Sequence, residues 1–183
     1  MKYIIEHLEP GMYEWCLLEY KHISEIVGKE NLIFTNIKSG ADKLKAFGKI
    51  HKESVAELKL KNVCILDPAA EKTLSSKDKF DYLIIGGILG DYPMKKRTKI
   101  ELSDKMDVEK RNLGKKQMST DTAVYVAKEI TKGKTLKDFE FKDQIEIEID
   151  KGESIQLPFR YVIVNGKPLL PKGMIEFLKK HPF

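Results

Sequence analysis

Phe80-Asp81-Tyr82-Leu83-Ile84-Ile85-Gly86-Gly87-Ile88-Leu89-Gly90-Asp91 is an apolar run of strand length that breaks into glycines. A run this short and this continuously apolar suits a strand buried on both faces. Glycines at its carboxyl end let another backbone, or a ligand, come close. Val63-Cys64-Ile65-Leu66, stopped by Asp67-Pro68, has the same form, as do Tyr3-Ile4-Ile5 and Asn31-Leu32-Ile33-Phe34. Between these runs the period becomes helical. Leu17, Leu18, Ile23, Ile26 and Val27 mark a helix over 14–27 that Gly28 ends. Residues 41–60 read as mostly helix, with a break near Gly48. Strands alternating with helices predict an α/β fold with a mainly parallel sheet covered on both faces.

Beyond this stretch the pattern weakens. Residues 93–116 are polar and irregular. A helix is expected over 121–130, capped by Ser119 or Thr120. Ile145-Glu146-Ile147-Glu148-Ile149 alternates with period two, as a half-exposed strand does. Tyr161–Val164 and Lys167–Leu170 flank Asn165-Gly166, the turn that two-residue hairpins favour. Pro168 puts the second arm at an edge. Met174–Lys180 closes the chain as a short helix.

With 183 residues, the chain has the length of one domain. Apolar content of 42% and charged content of 33% fit a globular protein and argue against disorder. No apolar run approaches the roughly 20 residues a bilayer span needs. Glu6 comes too early for the apolar run of a signal peptide. Cys16 and Cys64 are the only cysteines, which excludes a disulfide scaffold and suggests a reducing cytoplasm. His7, His22, His51 and His181 are scattered, so no metal site is expected.

The net charge is +5, and its placement is informative. Lys95, Lys96, Arg97, Lys99, Lys105, Lys110, Arg111, Lys115 and Lys116 outnumber Glu101, Asp104, Asp107 and Glu109 in one segment, 93–116. Such a stretch is either a solvated face or a contact for a polyanion such as ribosomal RNA. Glu6, Glu9, Glu14 and Glu19 give the opposite sign near the start, which suits a cationic substrate.

Three turns stand where ligands collect in open α/β sheets: Leu66–Ala69, Gly86–Asp91 and Leu113–Asp121. Gly86, Gly87 and Gly90 do not form the dinucleotide fingerprint, and Gly114-Lys115 lacks the flanking residues of a phosphate loop. No Ser-His-Asp or Cys-His pattern sits at a nucleophile elbow. On their own these turns are compatible with plain loops or with a nucleotide-like ligand held by backbone amides.

Read in order, the motifs say more. They are Lys2-Tyr3-Ile4-Ile5-Glu6-His7-x-Glu9-x-Gly11-x-x-Glu14-Trp15-x-x-Leu18-Glu19-Tyr20, Leu66-Asp67-Pro68-x-Ala70, Phe80-Asp81-Tyr82, Gly86-Gly87-Ile88-Leu89-Gly90-Asp91, Arg97-Thr98, Leu113-Gly114-x-Lys116-Gln117-Met118-x-Thr120-Asp121-Thr122-Ala123 and Pro158-Phe159-Arg160-Tyr161-Val162. The series resembles the SPOUT-superfamily protein-arginine methyltransferases, first grouped as RNA methyltransferases. The match weakens only over 36–62.

The resemblance implies a SPOUT-type sheet with a deep trefoil knot over 1–137, and a strand, hairpin and helix extension over 138–183 packed on the same domain. It implies S-adenosylmethionine as cofactor, held by Leu66, Asp67, Pro68, Gly86, Gly87, Leu89, Gly90, Asp91, Leu113, Gly114, Gln117, Met118 and Thr120. It implies methyl transfer to an arginine of a small-subunit ribosomal protein, in the cytoplasm, with rRNA contact through 93–116 and no membrane. The extension favours a monomer over the SPOUT homodimer. Carboxylates must orient the guanidinium and take its proton. Glu19 is the first candidate, then Glu9, Glu14 and Asp91, with His7 beside them. RNA methylation on the same fold, or a non-catalytic ribosome-binding module, are the alternatives.

Overall fold

A computed structural model describes residues 1–90 and 92–181; the Asp91 expected at the site lies outside the described residues. The chain opens with β1 (Lys2–His7) and α1 (Glu14–Val27). Gly28 ends α1 with φ +82, and its amide returns to the Ser24 carbonyl at 2.9 Å. β2 (Leu32–Thr35) follows.

The helix expected over 41–60 does not form. Only Ala41–Leu44 (α2) is α-helical, Lys49–Ile50 is a short strand (β3), and Val55–Leu58 is a single tight turn. Gly48 explains the strand. A Cβ there would stand 2.6 Å from the Leu32 carbonyl oxygen, so the chain presses flat against β2 at this point. A buried polar anchor explains the turn. Glu6, 2% exposed, accepts from Thr35 Oγ1 (2.5 Å), Ser54 Oγ (2.6 Å) and Val55 N (2.9 Å). Ser54 caps the turn that begins there, and Glu57 returns a bond to the Ser54 amide at 2.8 Å.

β4 (Val63–Leu66) and β5 (Tyr82–Gly87) lie where the apolar runs place them. Within 93–116, expected to be irregular, the chain forms α3 (Arg97–Glu101) and the short strand β6 (Glu109–Arg111). α4 (Thr120–Thr131), β7 (Glu140–Asp150), β8 (Glu153–Val164), β9 (Lys167–Pro168) and α5 (Met174–Lys180) complete it. Among the described residues no helix is long and apolar enough to cross a membrane.

The main sheet runs β3-β2-β1-β5-β4-β6, every pair parallel. Its inner strands β1, β2, β4 and β5 are buried on both faces, which is why they read as unbroken apolar runs. Tyr3, Ile5, Leu83 and Ile85 face α1 and α4 through Tyr20, Ile23, Val124 and Ala127. Ile4, Ile65 and Ile84 face the other way, against Val55 and Leu102. The antiparallel sheet β7-β8-β9 packs Ile145, Ile147, Ile149, Ile155 and Leu157 on α5 and on Trp15 and Leu18 of α1. Pro158, which has no amide hydrogen to donate, sits where the register shifts between Asp143 and Ile145, and Gln144 turns to φ +60 opposite it.

One junction sets up the site. Residues 109–112 bond to two parts of the 63–74 segment. β4 pairs with Glu109–Arg111, while Asn112 bonds Lys72 O (2.8 Å) and Leu74 N (3.0 Å) farther along it.

Candidate active site

At the carboxyl ends of β4 and β5 lies a cavity of about 410 Å³. Its wall is made by the three turns the sequence singled out, together with 94–98 and the first turns of α4. Leu66, Asp67, Pro68, Gly86, Leu113, Gly114, Gln117, Met118 and Thr120 all line it. Gly114 has φ +93, and a Cβ there would find no other atom nearer than 3.9 Å. The missing side chain is therefore part of the cavity's free space.

Gly87, Leu89 and Gly90 do not line the cavity. A Cβ on Gly87 would stand 2.3 Å from the Tyr20 hydroxyl, and one on Gly90 would stand 2.5 Å from Gln117 Nε2 and 2.7 Å from the Phe159 ring. These glycines are needed for protein packed against protein. The Leu89 amide donates to Glu9 Oε1 at 3.1 Å, so this turn is tied back to the end of β1.

Several residues that hold the cavity open were not among the expected site residues. Asn112, 3% exposed, donates to Ala70 O at 2.8 Å and accepts from Gly114 N at 3.0 Å, clipping the first turn to the third. Lys115 Nζ reaches the same Ala70 carbonyl at 2.8 Å. Arg97 bonds Glu9 Oε1 (2.7 Å), Leu8 O (2.9 Å) and Glu101 Oε1 (2.6 Å), fixing α3 to the β1 exit. Arg97 was legible as part of a motif; Asn112 carried no signal, because β6 is only three residues long.

The antiparallel sheet braces the third turn. Arg160 N donates to Gln117 O at 2.8 Å. Asp143 accepts from Arg160 Nε (2.6 Å) and from Lys116 Nζ (2.5 Å), and these two cations hold its carboxyl down at about 2.

The acidic candidates separate sharply. Glu14 is exposed in the first turn of α1. Glu9 is occupied with Arg97 and the Leu89 amide. His7 is buried and bonds the Tyr20 hydroxyl at 2.8 Å, and burial holds it below the usual imidazole range. Glu19 is different. It is 5% exposed, accepts from Trp15 Nε1 at 3.0 Å, and neighbours Thr120, which lines the cavity. Burial, and then the charge of Asp121, push its carboxyl up to about 8. A carboxyl so placed is an effective proton acceptor near neutral pH.

Over residues 2–182 the chain matches the family described as protein arginine N-methyltransferase SFM1-like. It is 40% identical to protein arginine N-methyltransferase SFM1 of Saccharomyces cerevisiae, across 98% of this chain and 95% of that one. The crystal structure of the yeast enzyme complexed with SAM superposes with a TM-score of 0.86 at 38% identity, covering 98% of this chain and 90% of the other. The dual-specific Trm10 of Thermococcus kodakaraensis shares the fold, with a TM-score of 0.58 at 20% identity over 74% of this chain and 95% of that one. The mainly parallel SPOUT-type sheet expected from the sequence is the one observed. On this match along nearly its whole length, the chain belongs to the SFM1-like protein arginine N-methyltransferase family.

Proposed function

We propose that this chain is an S-adenosylmethionine-dependent methyltransferase acting on an arginine of a small-subunit ribosomal protein. One observation carries the reading: Thr120 lines the cavity, and the buried Glu19 lies beside it. The cofactor fits what lines it. The volume lies within the range of small-molecule sites. Leu66, Ile85, Leu113 and Met118 offer apolar surface, and the turns around Gly86 and Gly114 offer backbone groups. Bound there, S-adenosylmethionine supplies a methyl group activated on a sulfonium.

The chain's own residues supply the rest. Arginine stays protonated throughout the working pH range, so its nitrogen is a weak nucleophile. Glu19 orients the guanidinium and takes the proton released on methylation. Trp15 holds that carboxylate in place. Glu9 ties the Leu89 amide and Arg97 of α3 to the end of β1.

Threading completes the reading. With 109–112 bonded both to β4 and to Lys72 and Leu74, the deep trefoil knot of the SPOUT fold accounts for the junction. Residues 138–183 belong to the same folding unit as 1–137, since Phe139, Phe141 and Val162 share a core with α1 and α4. Because this extension covers Trp15 and Leu18, the protein works as a monomer. Exposed Tyr92, Lys95 and Lys96 beside the cavity give ribosomal RNA a contact next to the target arginine. Its compartment is the cytoplasm, where ribosomal proteins are available and the two buried thiols stay reduced.

The test is radiolabel transfer from S-adenosylmethionine to small ribosomal subunits from cells lacking the gene. Label that survives nuclease and hydrolyses to methylarginine supports the reading. Label lost to nuclease means that RNA is the substrate, and no label with no cofactor binding leaves a non-catalytic module.

A further inference from the structure

β7 is an outer strand of the antiparallel sheet, 11 residues long, and β8 pairs with only one of its edges. Among the described residues no backbone group bonds to the other edge. An open edge offers every second amide and carbonyl to an incoming strand. Ile145, Ile147 and Ile149 face inward onto α5, so the residues between them face out. That outward face carries Glu146, Glu148 and Asp150, all exposed, with Gln156 and Ser154 of β8 opposite the two glutamates. Ser154 Oγ donates to Glu146, and the Lys151 amide donates to Asp150 Oδ1 at 2.7 Å. Among the described residues no cation pairs with any of these three acids. Other acids of the chain do hold cations: Asp143 holds Lys116 and Arg160, Asp78 and Glu109 hold Arg111, and Glu129 holds Lys132 and Lys134.

The strand also leads to the cavity. At its inner end Asp143 holds Lys116, which lines the cavity, and Gln144 Nε2 donates to the Tyr92 hydroxyl at 3.2 Å, close in sequence to the wall at Met94. From Asp143 to Asp150 the strand runs roughly 20 Å outward. We propose that the open edge of β7 takes a strand of the substrate protein, an extended segment with cationic side chains at alternate positions, and so presents a neighbouring arginine to the cavity. This rests on the protein-substrate reading given above.

Strand addition divides the work. Main-chain hydrogen bonds hold the segment, and the spacing of side chains selects it. Side chains on one face of a strand recur at every second residue, roughly 7 Å apart. Glu146, Glu148 and Asp150 keep that repeat, so an added strand with lysine or arginine at alternate positions sets a cation beside each acid. A protein that lives against RNA neutralises phosphates with lysine and arginine, so a ribosomal substrate is rich in such segments. The same acids turn other occupants away. A second copy pairing edge to edge would set glutamate against glutamate, and RNA would meet its own sign of charge. The basic stretch 93–116 and the acidic edge thus face the two components of a ribosomal particle separately.

The probes are two synthetic peptides of one composition, the first alternating arginine and threonine, the second with its arginines in one block. By calorimetry the wild type should bind the alternating peptide several-fold more tightly, and amide NMR signals of 144–150 should shift. In the double variant Glu146→Lys, Glu148→Lys that binding should fall about tenfold or more. In transfer to small ribosomal subunits, KM for the subunit should rise about tenfold while kcat and S-adenosylmethionine affinity hold. Glu148→Lys alone is the second variant if the double one does not fold. No binding, or equal binding of the two peptides, overturns the proposal, since charge alone would then account for any contact. Binding or KM unmoved in the folded variants overturns it too, as does a chain that dimerises through this edge in the ultracentrifuge. Peptide binding as expected, with no label on any ribosomal protein, keeps the docking edge and sinks the ribosomal reading; label with an unmoved KM does the reverse.

Discussion

Glu19→Gln keeps the size of the side chain and an oxygen to accept from Trp15, but it removes the proton acceptor. Methyl transfer should fall by about 100-fold or more, with cofactor affinity by calorimetry unchanged. The same substitution has a signature in stability. Glu19 titrates at about 8 in the folded chain, against about 4.3 in an unfolded one, so the folded state holds the proton more tightly. The stabilisation is complete below the unfolded value and is lost as pH rises through the folded one. The melting temperature of the wild type should therefore drop between about pH 5 and about pH 9 more steeply than that of Glu19→Gln. Two glycines give a contrasting pair. Gly114→Val should abolish cofactor binding, because its side chain enters the cavity and its φ of +93 strains the turn that lines it. Gly87→Val should lower the melting temperature instead, because its side chain meets Tyr20 and Ile5. Sequence alone treated both as cavity glycines. Nothing in GGILGD tells a ligand from a tyrosine hydroxyl as the reason a side chain is missing.

Elements were legible where one local rule decided them. α1 and α5 have the bounds that apolar period, Gly28 and the closing motif give them, and β4 is the run Val63–Leu66 unaltered. Residues 41–60 failed because their form is set from outside. Gly48 is flattened on β2, and Glu6, far away in sequence, supplies the acceptors that start the turn at Ser54. β6 failed for the same reason, as a polar three-residue strand held by β4 and by Asn112. The strut from β7 to the third turn was equally invisible, since Lys116 and Asp143, which form it, are 27 residues apart. It has a measurable effect. Asp143→Ala removes the shared acceptor of Lys116 and Arg160, so cofactor should bind several-fold more weakly while the melting temperature changes little. Equal affinities for the two proteins would show that Gln117 is held by the Arg160 amide alone.

Over the whole molecule, the two sheets are joined by shared core rather than by a linker. Phe139 and Phe141 pack with α1 and α4, while Trp15 and Leu18 of α1 pack with α5 and the antiparallel sheet. A chain cut after Lys137 should thus be aggregated or protease-sensitive, as size-exclusion chromatography and limited proteolysis would show, and not a smaller stable enzyme. The parallel sheet was readable because doubly buried strands leave continuous apolar runs; the path of the chain was not, because hydrophobic period carries no record of what passes through what. The knotted path proposed above has a mechanical side. Force applied from the C-terminal direction reaches Asn112 before it reaches β4, and Asn112 is gripped by the loop that β4 itself anchors. Tension there draws the surrounding loop tighter around the strand instead of peeling it away. A translocating protease that hauls substrates in from that end would stall on the half-digested protein, and the cofactor cavity, built at the same crossing, would be the last part to give way.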